Sequence, residues 1–230
     1  MADYAVARRN MIEGQIRPNK VTDGRVLAAM ADVPRELFVP KKLQGAAYVD
    51  EDLAVAPGRY LMEPAVFARL LQAAAVTPND VVLDIGCATG YSTAVLARLA
   101  ATVVAVESDP GLVKTASALL AELAADNAVV IKGTLAAGYA KQAPYDAILL
   151  GGAVDEVPPA IADQLAEGGR LVAVVTGRAS GLSSGRSSGR ASVGEGVLML
   201  RVRGVLSRRV LFDAALPPLP GFEVERGFVL

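Results

Sequence analysis

Eight consecutive residues carry the strongest chemical signal in this chain: Asp84-Ile85-Gly86-Cys87-Ala88-Thr89-Gly90-Tyr91. An apolar run, Val81-Val82-Leu83, leads into Asp84, and helical spacing resumes at Tyr91. The small residues between them let the chain turn tightly. A ligand can then approach the main chain beside a helix N-terminus, where N–H groups are free to donate. A second apolar run, Val103-Val104-Ala105-Val106, ends at Glu107-Ser108. A carboxylate about 20 residues beyond a glycine turn can accept both hydroxyls of a ribose.

That ribose belongs to nicotinamide dinucleotides and to S-adenosylmethionine alike, so Glu107 alone does not choose between them. The glycine spacing does. A pyrophosphate needs Gly-x-Gly-x-x-Gly, whereas Gly86 is followed here by Ala88 and Gly90. Asp84 would repel a pyrophosphate and suits the ammonium group of an α-amino acid. The pattern therefore points to S-adenosylmethionine held by Asp84, Gly86, Cys87, Ala88, Gly90, Tyr91, Glu107 and Ser108. Cys87 reads as a small residue lining the cofactor.

Composition removes several alternatives. The 230 residues contain one cysteine and no histidine. A disulfide within the chain, a Cys/His zinc site and an imidazole base are all excluded, and no metal site is expected. A lone cysteine fits a reducing compartment. The N-terminus has no signal-peptide h-region, and no apolar run approaches the roughly 18 residues of a membrane span. The chain reads as cytoplasmic, with no membrane partner. Lys and Arg total 23 against 24 Asp and Glu, which gives no electrostatic footprint for nucleic acid. Aromatics at 5% leave few rings for base stacking.

The elements that must position this turn follow from periodicity. Runs at 81–85, 103–106, 129–131, 147–150 and 171–175 are short and apolar, and helical spacing alternates with them from Glu63 to near Thr77, and at 91–101, 112–125 and 161–166. That alternation predicts an α/β fold built on a parallel sheet with helices on both faces. Val197–Val202 and Val205–Phe212 follow without an intervening helix and predict an antiparallel hairpin, with Gly227–Leu230 as a further edge strand. Pro18, Pro34 and Pro40 punctuate short helices in residues 1–46, and Thr22 or Asp23 caps the helix carrying Val26, Leu27 and Met30. Residues 47–60 are acidic and turn-rich and read as a loop. One domain is expected: a helical cap and substrate loop at 1–60, a cofactor-binding core at 61–176, a flexible Gly/Ser/Arg loop at 177–196, and C-terminal strands at 197–230.

Further motifs bring a family into view. Met11-Ile12-Glu13-Gly14-Gln15-Ile16, Asp23-Gly24-Arg25-Val26-Leu27, Val33-Pro34-Arg35-Glu36-Leu37-Phe38-Val39-Pro40, then Tyr48 and Asp50, Tyr145-Asp146-Ala147-Ile148, and Gln164–Val172 together resemble protein-L-isoaspartate O-methyltransferases over roughly residues 8–176. The resemblance implies a Rossmann-like S-adenosylmethionine-dependent methyltransferase with a seven-stranded, mostly parallel sheet. It also implies methyl transfer to a carboxylate of damaged protein. Alternative functions are a related methyltransferase with another acceptor and a non-catalytic cofactor-binding relative. A protein or peptide acceptor is expected, or a small-molecule carboxylate, with the chain a monomer or weak homo-oligomer.

Two departures from the family pattern stand out. The family usually has Gly-Gln-Thr-Ile-Ser-Gln-Pro before its first core helix, with the Ser hydroxyl beside the reacting carboxylate. This chain has Gly58-Arg59-Tyr60-Leu61-Met62-Glu63-Pro64. Arg59, Tyr60 and Met62 thus occupy the catalytic loop, and loss of the hydroxyl predicts weak turnover of simple isoaspartyl peptides. Glu63 reads as favouring the helix N-terminus. The family's Gly-Asp-Gly after the third core strand is Gly133-Thr134-Leu135 here, so Thr134 would bond the adenine without a charge. Gly151-Gly152-Ala153 lacks the polar Pro-Pro motif of DNA amino-methyltransferases, and Asp155 and Glu156 read as a helix start.

Overall fold

The computed structural model describes residues 3–177 and 192–223. The five apolar runs form the parallel core of one sheet: β3 (Val81–Ile85), β4 (Thr102–Glu107), β5 (Ala128–Lys132), β6 (Tyr145–Val154) and β7 (Leu165–Val175). β8 (Ser192–Val202) and β9 (Val205–Leu216) complete the seven strands as an antiparallel hairpin on β7. The order is β5-β4-β3-β6-β7-β8-β9. Strand order therefore reverses between β3 and β6, and an open α/β sheet binds ligands in the crevice at such a point, outside the carboxyl ends of the strands. The loop that begins at Gly86 leaves β3 there.

Side chains alternate across the strands, and so does the core. Val82, Val103, Leu149 and Val172 pack on one face with α1 (Tyr4–Met11), α2 (Gly24–Asp32), α3 (Pro64–Ala74), α4 (Tyr91–Ala97) and part of α5 (Pro110–Glu122). Leu83, Val104, Ile148 and Leu171 pack on the other face. Among the described residues, that second face is covered by the four-residue α6 (Pro159–Ala162), 3₁₀ turns, and the segment after β9, which buries Leu219 and Phe222. This segment docks beside β6: Ala153 donates to the Pro217 carbonyl at 3.0 Å and Leu219 donates to the Ala153 carbonyl at 2.7 Å.

The helical cap is tied to the core through Arg35, which is fully buried. Its Nε donates to the Ala47 carbonyl and its Nη2 to the Met62 carbonyl, both at 2.7 Å. Its guanidinium lies 4.9 Å from the ring centroid of Tyr91, the first residue of α4. That ring also packs against Phe38 and Phe67.

The structure corrects several boundaries. Residues 47–60 contain part of a small antiparallel hairpin, β1 (Leu53–Ala56) and β2 (Arg59–Leu61), because Leu53 and Leu61 pair and bury one face. The helix expected at 161–166 is Pro159–Ala162, and Leu165 already belongs to β7. The hairpin strand begins at Ser192, inside the expected 177–196 loop, and β9 runs on to Leu216. Asp155 accepts from the Thr176 hydroxyl at 3.0 Å and starts no helix. Asp23, not Thr22, caps α2. Residues 178–191 and the expected strand at 227–230 lie outside the described residues. Among the described residues no helix is long and apolar enough to cross a membrane.

Removing the Arg35 guanidinium leaves two buried carbonyls without donors, at about 1–3 kcal/mol each. Arg35→Met is therefore expected to lower unfolding free energy by about 2–6 kcal/mol in urea titrations. Arg35→Lys should recover only part, since an ammonium lacks the fork that spans both carbonyls. A loss below about 1 kcal/mol in Arg35→Met would remove this role.

Candidate active site

The turn between β3 and α4 owes its shape to alternation. Gly86, Ala88 and Gly90 all have positive φ (82°, 50° and 96°), and the residues between them do not. L side chains rarely adopt this region, which explains the small residues at every second position. The turn brings Gly86 against β6: a side chain at Gly151 would meet the Gly86 carbonyl at 2.5 Å.

Asp84 lies beneath the turn, fully buried. Its Oδ2 accepts from the hydroxyls of Ser92 and Thr93, both at 2.7 Å, and its Oδ1 is buried without a partner. Burial pushes its carboxyl up to about 6, against the pull of the two hydroxyls. One of its oxygens is left ready for a cationic donor. Glu107 ends β4, also fully buried. Its Oε1 accepts from the backbone of Ser108 (2.8 Å) and Asp109 (3.2 Å), and from the Ser108 hydroxyl (3.2 Å). Its Oε2 accepts from the backbone of Ala88 at 2.9 Å and from Arg59 Nη2 at 2.5 Å. Gly133 donates to the Glu107 carbonyl at 3.0 Å, which sets Thr134 at the next strand end, exposed to solvent.

The donor set fits an amino-acid nucleoside. The unpartnered Asp84 oxygen suits an ammonium, Glu107 suits ribose hydroxyls, and the glycine turn admits close approach. The space above the turn is occupied by the protein itself. A side chain at Gly86 would meet Leu219 Cδ1 at 2.6 Å and Arg59 Nη2 at 3.1 Å. Among the described residues two clefts lie there, of about 10 and 20 Å³, each with room for roughly one water. Arg59, Tyr60, Met62, Asp52 and Gly151 line the first, and Tyr60, Met62, Gly86, Cys87 and Gly151 are among the walls of the second.

An acidic corner adjoins Met62. Asp50 accepts from the Ala65 backbone and Asp52 from the Glu63 backbone, both at 2.9 Å. Burial, aided by Asp52 and Asp50, pushes the Glu63 carboxyl up to about 7, and burial raises Asp52 to about 6.

Comparison with known proteins decides the lineage. The profile of the protein-L-isoaspartate(D-aspartate) O-methyltransferase family matches residues 7–189. The chain belongs to this family. A protein-L-isoaspartate O-methyltransferase of Koribacter versatilis is 42% identical over 172 residues, covering 75% of this chain and 78% of that protein. One from Methanoregula boonei is 43% identical over 172 residues, covering 75% and 79%. A solved protein-L-isoaspartate O-methyltransferase superposes with TM-score 0.77 at 24% identity, over 93% of this chain and 66% of that one. A Plasmodium falciparum structure titled as a protein-L-isoaspartate O-methyltransferase in complex with S-adenosyl-L-homocysteine superposes at 0.73 with 20% identity, over 92% and 97%. These two superpositions speak to the fold.

Within this family member, Ala88, Ser108 and Gly133 all donate backbone hydrogen bonds to Glu107, which gathers the Gly86–Gly90 turn and the ends of β4 and β5 above Asp84. Cys87 lies there too, its thiol buried and held well above its ordinary pKa by that burial, which makes it unreactive. Three side chains have surroundings that the sequence did not show. The Tyr91 ring packs in the cap interface against Arg35, Phe38 and Phe67, and the residue also borders the second cleft with Gly86 and Cys87. Arg59 pairs with the carboxylate expected to hold the ribose. Glu63 caps nothing with its side chain, because Asp50 and Asp52 already take the N–H groups at the start of α3. Sequence reasoning missed Ser92 and Thr93, although hydroxyls eight and nine residues beyond Asp84 are within reach once the helix folds back. Leu219 had no local signal.

The raised carboxyls give a pH dependence. Folded Glu63 and Asp52 retain protons that the unfolded chain has lost, between their ordinary values (4.5 and 3.8) and about 7 and 6. Their contribution to stability is full below pH 4 and is lost as pH rises to about 7. Glu63→Gln is expected to flatten this part of the stability profile and to exceed wild type in urea midpoint at pH 8. Parallel wild-type and variant profiles from pH 5 to 8 would rule out the raised Glu63 carboxyl.

Proposed function

We propose that this chain methylates a carboxylate of isoaspartyl residues in protein, using S-adenosylmethionine. The observation that carries this is the pairing of Asp84, with its free buried oxygen, and Glu107 across the Gly86 turn, in a chain of this family. The cofactor supplies an electrophilic methyl group on a positively charged sulfur. Everything else falls to the residues of the chain. Asp84 Oδ1 would accept from the ammonium, Glu107 from the ribose hydroxyls, and Thr134 would face the adenine.

The absence of histidine does not obstruct this chemistry. A carboxylate of pKa near 4 is ionised at pH 7 and needs no base to act as nucleophile. The protein has to orient it for in-line attack and exclude water. Arg59 and Tyr60 are the donors placed to hold it, a guanidinium and a phenol both being suited to carboxylates. Met62 offers apolar surface where a hydroxyl donor would strengthen that hold. A protein acceptor is the favoured substrate. A small carboxylate would use the same donors, and a single copy of the chain supplies every residue invoked.

The direct assay follows radiolabelled methyl transfer to an isoaspartyl peptide and to its aspartyl isomer. Label is expected in the isoaspartyl peptide alone, at a low rate. Met62→Ser should raise that rate roughly ten- to a hundredfold, the worth of one hydrogen bond to a charged group (about 1.5–3 kcal/mol). Label entering proteins of a cell extract but neither peptide would replace this acceptor by another. A wild type at ordinary enzyme rates, unimproved by the serine, would show that the loop replacement is neutral.

A further inference from the structure

We infer that Arg59 and Leu219 form a latch across the cofactor turn, and that Arg59 is one cation shared between two partners: Glu107 when the latch is closed, the acceptor carboxylate when it is open. The inference rests on the S-adenosylmethionine reading of the crevice and adds an order of events to it.

Three observations meet at this point. Glu107 Oε2 is committed to Arg59 Nη2 at 2.5 Å, with both side chains buried. A ribose hydroxyl donating to that oxygen therefore has to displace the guanidinium. Leu219 Cδ1 and Arg59 Nη2 then stand directly on the open side of Gly86, within 2.6 and 3.1 Å of where a Cβ would be. A ligand approaching the turn from that side would meet both side chains. The clefts left beside them, about 10 and 20 Å³, compare with the several hundred Å³ of ordinary small-molecule sites.

The latch is also built to release. Pro217-Pro218-Leu219-Pro220 contains three residues with no N–H, so the segment cannot extend a ladder along β6. Its backbone attachment to that strand is the pair of hydrogen bonds through Ala153, with Leu219 and Phe222 buried beneath. Arg59 is under-used where it sits, since its Nε is buried without a partner. A guanidinium with spare donors, beside a cleft lined by Tyr60 and Met62, is placed to turn toward an incoming carboxylate once Glu107 is taken. Cofactor would thus bind first, and the acceptor would find its cation only afterwards. Because only the open form binds, apparent cofactor affinity is reduced by the fraction closed.

The test is calorimetric titration of S-adenosylhomocysteine into the full chain and two variants, with thermal melts to verify folding. Arg59→Gln is expected to bind at least tenfold tighter than wild type, and Leu219→Ala about three- to tenfold tighter. Chymotryptic cleavage after Phe222 should accelerate when S-adenosylhomocysteine is added to wild type. An isoaspartyl peptide should bind measurably only in its presence. Unchanged or weaker binding in folded Arg59→Gln would overturn the latch. If that variant does not fold, unchanged binding in Leu219→Ala together with ligand protection of Phe222 would do the same. Peptide binding of equal strength without S-adenosylhomocysteine would overturn the shared cation. Absence of S-adenosylhomocysteine binding to all three folded chains would overturn the cofactor reading beneath it.

Discussion

A guanidinium with no access to water must find its partners inside the protein, and Arg35 finds them on two stretches of chain at once. Its hydrogen bonds to Ala47 and Met62 fix both ends of the segment that contains the β1–β2 hairpin. Its stacking on Tyr91 fixes that segment against the helix that follows the glycine turn. The hairpin carries Arg59 and Tyr60, and the turn carries Gly86 and Ala88. The position of the acceptor loop relative to the cofactor turn therefore depends on one buried cation. Leaving such groups unpaired costs more than each bond contributes, so the arrangement resists partial loosening.

Charge in the crevice is unevenly provided. Asp84 and Glu107 are two buried carboxylates, and Arg59 is the cation that pairs with one of them. Burial, aided by the nearby Glu107 charge, holds the Asp84 carboxyl up to about 6, and one of its oxygens has no donor. The pocket is thus built one positive charge short, which favours a ligand with net positive charge. An anionic pyrophosphate would add to the deficit, which is the electrostatic counterpart of the glycine spacing in the sequence.

What was legible in the sequence was local. The β3-turn-α4 unit, Glu107 at the end of β4, and the antiparallel hairpin after the parallel strands each follow from spacing within a few residues. What was not legible depends on distant partners. Arg35 appeared only as part of a motif, because the carbonyls it serves lie 12 and 27 residues away. Tyr91 opens a helix whose periodicity does not say which side its ring takes. Glu63 looked like a helix-start acid until Asp50 and Asp52 reached those N–H groups from the preceding segment. The strands β1 and β2 are too short, at four and three residues, to show alternation within an acidic stretch. Arg59 was visible as a residue of the catalytic loop, but not that it pairs with Glu107 of the protein itself.

Leu219 and Phe222 are core residues as well as cover for the crevice, because the second face of the sheet has little else to protect it. Lifting them away exposes apolar surface to water, and that penalty shrinks on cooling. The ion pair between Arg59 and Glu107 has no such dependence on apolar hydration. The hold on the crevice is therefore made of two parts with different responses to temperature. In the cold the apolar part slackens and the electrostatic part governs access; in the warm both must yield together. The segment Pro217–Glu223 thus gives this fold a means of adjusting its thermal response through substitutions that leave Asp84, Glu107 and the Gly86 turn unchanged.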